Sequence, residues 1–178
     1  MPMRLAVVLF LIFGISMNGF SQEAVQPRPS PTAIVTVKYE DTYVKITYSQ
    51  PHKRDREIFG ELVPYGEVWR TGANEATEIT ITEDIEMAGN RVDAGTYSLF
   101  TIPGKDEWTV ILNSELGQWG SYNYNEDSDV MRFTVPAKQT DTPWEAFTIA
   151  FDQNNANAEM KLMWDRTLVS IPIKFLEH

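Results

Sequence analysis

The sequence predicts an all-β chain folded as a single-domain β-sandwich or jelly roll, with about ten or eleven short strands and one short helical turn near 58–63. Three observations carry this. From Thr32 onward apolar side chains recur at every second position, the period of a strand with one buried face. Glycine, proline, asparagine and aspartate gather between those runs, where they favour turns. No later stretch keeps the 3.6-residue period of an amphipathic helix for more than two turns. Seven Tyr, five Trp and nine Phe supply large core pieces, and with no Cys the fold rests on packing rather than disulfides.

The first residues, MPMRLAVVLFLIFGISMNGFSQ, carry one basic residue, Arg4, then an apolar core from Leu5 to Ile15, then small residues at Gly19 and Ser21. This is the pattern of a secretory signal peptide at 1–21, cleaved after Ser21. Its apolar core falls short of the roughly 20 residues that span a bilayer, so no membrane span is expected after cleavage. The absence of Cys excludes a lipid anchor at the cleavage point. Residues 22–31 hold Pro27, Pro29 and Pro31 and suit a loosely ordered, extended tether. The domain proper is expected at 32–176.

Ile34, Val35 and Val37, then Val44, Ile46 and Tyr48, make the first two strands, with a hairpin turn at Asp41-Thr42. A charged loop from Gln50 to Glu57 leads into Ile58–Val63. Strands follow at 77–82 and 85–87, then a turn at Ala88-Gly89-Asn90; the stretch 92–103 reads as a turn at Ala94-Gly95 and a strand, and the next strand is 108–113. The stretch QWGSYNYNEDSD, 118–129, reads as a long loop, aromatic first and acidic afterwards. The remaining strands centre on Met131–Val135, Phe147–Phe151, Met160–Trp164 and Val169–Phe175, with Asp152–Asn157 as a polar hairpin loop.

The formal net charge is −10, which argues against general nucleic-acid binding, because that depends on Lys and Arg neutralising phosphates. Two His and no Cys exclude a His- or Cys-rich zinc site and a thiolate nucleophile. No serine sits in a GxSxG elbow. Asn123, Asn125, Asp127 and Asp129 alternate oxygen donors as calcium loops do, but Ser128 and Thr134 stand where such a loop needs Gly and Glu. No metal and no cofactor are expected.

The segment least like ordinary strand or turn is Ile58–Ile81, where Pro64, Gly66 and Gly72 are set among Tyr65 and Trp69, followed by Arg70, Asn74, Glu75 and Thr77. These groups suit a pocket for a sugar or other polyol: guanidinium, amide and carboxylate groups meet hydroxyls while an aromatic ring covers a CH face. Trp119, Tyr122 and Tyr124 are expected to wall the cleft from the facing loop, with Asp129 beside it. On an ideal strand Asp129 and Arg132 point to opposite faces, which leaves Asp129 free to meet Arg70 or Arg56. The same residues also fit a structural buckle, Arg70 pairing internally with Glu75 or Asp129.

Read in order, Arg56-Glu57-Ile58-Phe59-Gly60, Leu62-Val63-Pro64-Tyr65-Gly66, Trp69-Arg70-Thr71-Gly72-Ala73-Asn74-Glu75 with Thr77, AGTYSLFTIPGKDEWTVILN, and Trp119-Gly120 through Tyr122, Tyr124, Asp129 and Arg132 resemble the DUF2911 family. The resemblance runs from Ser30-Pro31 to the final SIPI. It implies an exported β-rich protein of a group typical of Bacteroidetes, and brings no activity, substrate or catalytic residue. Where that family often has glycine before Arg56, this chain has Asp55. Three functions remain in view. One is a non-catalytic domain binding a small polar molecule, a glycan or an envelope partner; another is a hydrolase using Glu75 or Asp129 as acid or base; the third is a purely structural envelope protein. The last strand ends close to the C-terminus, without room for an appended sorting domain, which favours the periplasm over the extracellular medium.

Overall fold

A computed structural model describes residues 26–176; the signal peptide, the first tether residues and His178 lie outside the described residues. The strands are β1 (Thr32–Tyr39), β2 (Thr42–Ser49), β3 (Thr77–Ile81), β4 (Ile85–Met87), β5 (Asn90–Val92), β6 (Gly95–Pro103), β7 (Glu107–Asn113), β8 (Asp129–Asn154) and β9 (Asn157–Phe175). They form one antiparallel sheet in the order β1-β2-β3-β6-β7-β8-β9-β4-β5, with β1 and β5 at its edges, so it does not close into a barrel.

The sheet nevertheless folds over on itself. Three strands separate β2 from β8 in the sheet order, yet the Ile149 amide of β8 donates to the Tyr48 hydroxyl of β2 at 3.1 Å. Val44, Ile46, Trp108, Val110, Phe147, Ile149, Leu162 and Trp164 accordingly share one core. The pattern that produces this is visible in β2, where alternate residues are fully buried as a two-residue period requires. The fold-over is centred on β8, which pairs with β7 up to Pro136 and with β9 from Ala137 onward. Proline suits that point because it has no N–H to offer a ladder.

Nine strands stand where about ten or eleven were expected, because four predicted strands are halves of two long ones. The polar run between Val135 and Phe147 stays extended through two register shifts, exposed on both faces and so without alternation. Asp165, at φ 49, pairs with Trp144 between the two register shifts, so β9 runs on as one strand through an irregular stretch. The short Asn90–Val92 strand was not anticipated. The first hairpin turns at Glu40-Asp41, one residue early, with Glu40 at φ 50. Ile58–Val63 is no helix: the Val63 amide bonds Ile58 O and the Gly60 amide bonds Val63 O, which closes a wide turn. Among the described residues the helical structure is one 3-10 turn, Glu126–Ser128.

Candidate functional site

Residues 50–76, between β2 and β3, form the longest connection, and the sheet itself anchors them. β3 pairs with β6 only as far as Leu99. Beyond that point the connection takes its place: Trp69 and Thr101 exchange both backbone hydrogen bonds, at 2.7 and 2.9 Å, and the Gly66 amide reaches Pro103 O. Phe59 and Trp69 drop from the loop into the core, where Trp69 is only 6% exposed and packs against Phe59, Trp108, Phe147 and Trp164.

The turn that follows is closed by its own polar groups. The Trp69 indole donates to Gly72 O at 3.1 Å, the Thr77 hydroxyl donates to Thr71 O at 2.7 Å, and the Thr77 amide bonds Arg70 O. A side chain at Gly72 would stand 2.9 Å from Ser49 O and 3.2 Å from the Thr77 hydroxyl, so only glycine lets the turn lie this close to β2. Thr71 and Asn74 sit at φ 53 and 57. For a β-branched, fully buried threonine that is a strained backbone, held by the surrounding bonds.

This turn holds Arg70 half-buried over a recess of about 290 Å³ whose lining includes Ser30, Arg56, Leu62, Trp69, Asn74 and Trp164. Among the described residues no carboxylate lines it. Burial pushes the Arg70 guanidinium below its ordinary value, with Tyr122 opposing in part. Its Nε is buried without a hydrogen-bond partner among the described residues. Arg56 turns two of its nitrogens to the backbone oxygens of Lys53 and His52, at 3.0 and 2.6 Å, and makes no ion pair among the described residues. On the other side of Arg70 a shallower cleft of about 160 Å³ runs between Leu62 and the 85%-exposed Tyr122. Glu67 lines that cleft without an ion pair to Arg70.

The aromatic loop lies against the turn. Gly120 donates to Asn74 O, Ala76 to Gln118 O, and Glu75 pairs with Trp119 as an isolated bridge. The structure therefore gathers Trp69, Arg70, Asn74 and Tyr122 around one position.

The other predicted site residues lie elsewhere. Glu75 lines a separate recess of about 330 Å³ with Arg28, which donates to both its oxygens at 2.7 and 3.0 Å and holds its carboxyl below the usual value. Thr77 is a buried structural group. Trp69 does border the recess, but as a core residue rather than an open stacking platform. Tyr65 covers Gly60 and lies under Lys105. Trp119 is exposed beside Glu75.

The buckle has different members from those expected. Asp129 accepts from Arg132 Nε at 2.5 Å, from the Tyr124 hydroxyl at 2.6 Å and from Asn113 Nδ2 at 2.8 Å. Tyr124 in turn packs edge-on against Phe100. The parity argument separating Asp129 from Arg132 fails because the β7–β8 register shifts between Leu112 and Asn113, whose partners are Met131 and Asp129. The pair thus leaves ideal alternation and the long arginine reaches back. Arg70 has neither Glu75 nor Asp129 as partner.

Arg56 and Ser30 are contributors the sequence reading did not place in the pocket. Ser30 arrives because the proline-rich segment is docked rather than loose: Asn74 Nδ2 donates to Ser30 O, and the Gln50 amide to Pro31 O. No local pattern signals this convergence, because Arg56 and Arg70 stand apart in the sequence and meet only through the fold. Asp55, standing for the family's glycine, takes φ 61, a conformation aspartate tolerates better than most side chains.

A family model described as a protein of unknown function, DUF2911, matches residues 30–173. No curated protein and no solved structure matches the chain.

Proposed function

The chain belongs to the DUF2911 family, and from that premise we propose that it is an exported, periplasmic, non-catalytic domain that binds a small polar ligand, such as a glycan or the exposed group of an envelope partner, in the recess beneath Arg70. One observation carries the reading. A half-buried Arg70 whose Nε has no hydrogen-bond partner lines a recess with no carboxylate among its described residues, whereas a structural arginine normally brings its counter-charge with it. The rigid frame around the recess, from the Trp69–Thr101 backbone pair to the Gly72 contact, suits preorganised binding. Hydrolysis lacks comparable support. A general acid needs a raised carboxyl pKa, and Arg28 draws that of Glu75 the other way.

The test is a broad screen of small polar molecules by thermal shift, with a glycan array beside it, on wild type and on Arg70→Ala and Asn74→Ala. Hits lost in both variants, with folding intact, would support the pocket. A wild type that is blank across both screens would sink it.

A further inference from the structure

The recess has a sign that its chain does not. With 25 Asp and Glu against 15 Lys and Arg, an acidic protein would be expected to place a carboxylate beside any half-buried cation. Here the half-buried Arg70 and the exposed Arg56 line one recess together, and the remaining described lining is apolar or neutral: Leu62, Trp69, Asn74 and Trp164 among it. The eight ion pairs among the described residues leave both arginines out. Arg70 Nε–H is both buried and without an acceptor. A desolvated guanidinium gains most from a charged acceptor that matches its planar fork. We infer that the group recognised in this recess is the oxyanion of a small molecule, a carboxylate or a phosphate ester, bound between Arg56 and Arg70.

The inference rests on the binding reading above and narrows it. Trp69 and Trp164 back the recess, Asn74 offers an amide at its side, and Leu62 with Tyr122 continues the surface beyond Arg70. Such an arrangement takes the charged head of a molecule whose body is neutral and of sugar or amino-acid size. At about 290 Å³ the space lies at the small end of ligand sites. Arg70 Nε is closed to solvent, so the planar guanidinium would meet the oxyanion through its terminal nitrogens, in a forked contact that a lysine could not reproduce.

The experiment compares glucose, glucuronate and glucose 6-phosphate, three probes with one body and different heads, by NMR titration of the full mature chain. The Arg70 Nε–H and Trp69 indole signals report the recess directly. The expected result is that at least one charged probe shifts both signals and binds at least tenfold more tightly than glucose, with that gain lost in Arg70→Met and in Arg70→Lys. Which of the two charged probes binds tells carboxylate from phosphate. Glucose shifting the same signals with equal affinity would overturn the oxyanion assignment while leaving the binding reading standing. Silence of the Arg70 and Trp69 signals toward all three would also overturn it; the binding reading falls separately, only on the blank broad screen. Should Arg70→Met fail to fold, Arg56→Met serves, with a loss of at least threefold in the affinity for the charged probe expected and no loss counting against the assignment.

Discussion

Trp69 stacks on Trp164, their ring centroids 5.9 Å apart and their planes 17° from parallel. The contact ties the loop that carries Arg70 to β9, so that the floor of the recess is part of the core. Trp69 also meets Phe147 at 5.0 Å and Trp108 at 6.0 Å.

Trp69→Ala should therefore unfold the protein more readily rather than merely weaken binding. Removing a core tryptophan costs about 3–5 kcal/mol through lost burial and the cavity left behind, and the indole bond to Gly72 O goes with it. Urea denaturation measures this directly. A loss under about 1 kcal/mol would mean that Trp69 is not the keystone its contacts describe.

Arg70→Met should leave stability within about 1 kcal/mol of wild type. Breaking a buried ion pair would cost about 3–5 kcal/mol by stranding a carboxylate, but Arg70 has no such partner among the described residues, and methionine keeps much of the apolar stem in place. A thermal melt distinguishes the two outcomes. A fall equivalent to 3 kcal/mol would restore Arg70 as a structural buckle.

The sequence made the fold class legible because alternation survives wherever one face of a strand is buried, as in β2. It failed where both faces meet solvent, in the middle of β8, and there one strand was read as two. Arg70, Asn74 and Tyr122 drew notice in the sequence because turn glycines and polar groups cluster around them. Glu75 and Asp129 carried the same signal, yet Arg28 and Arg132 claim them, and neither pairing follows from local pattern: one depends on the docked proline-rich segment, the other on a register shift. Arg56 could be seen, but its place beside Arg70 is a tertiary fact.

Arg28→Ala should release Glu75 without unfolding anything. The two side chains are 55% and 46% exposed, and such pairs are worth less than about 1 kcal/mol. The Arg28 hydrogen bonds lower the Glu75 pKa, so the pair's contribution is present above the ordinary carboxylate value and is lost as pH falls through the depressed one. Carboxyl-carbon NMR titration should show the Glu75 midpoint rising toward the ordinary value in the variant. An unmoved midpoint would show that Arg28 does not hold it.

The Tyr124 network predicts an alkaline limit to stability. Tyr124 donates to Asp129 and accepts from Arg132 at 2.5 Å. Burial, and then the bond to Asp129, push its hydroxyl from 10.0 up to about 12, with Arg132 opposing. A folded pKa above the unfolded one means that the contribution is complete below pH 10.0 and fades as pH rises through about 12, because the unfolded chain releases the proton first. Tyr124→Phe removes that titration along with a hydrogen bond worth about 1 kcal/mol at neutral pH. The wild type should thus start more stable and lose stability more steeply than the variant across this window, the two curves converging toward its upper end. Tyr48 and Tyr97, also raised by burial, remain in both proteins and cancel in the comparison. Chemical denaturation at several alkaline pH values gives the slopes, and parallel curves would separate Tyr124 from the Asp129 contact.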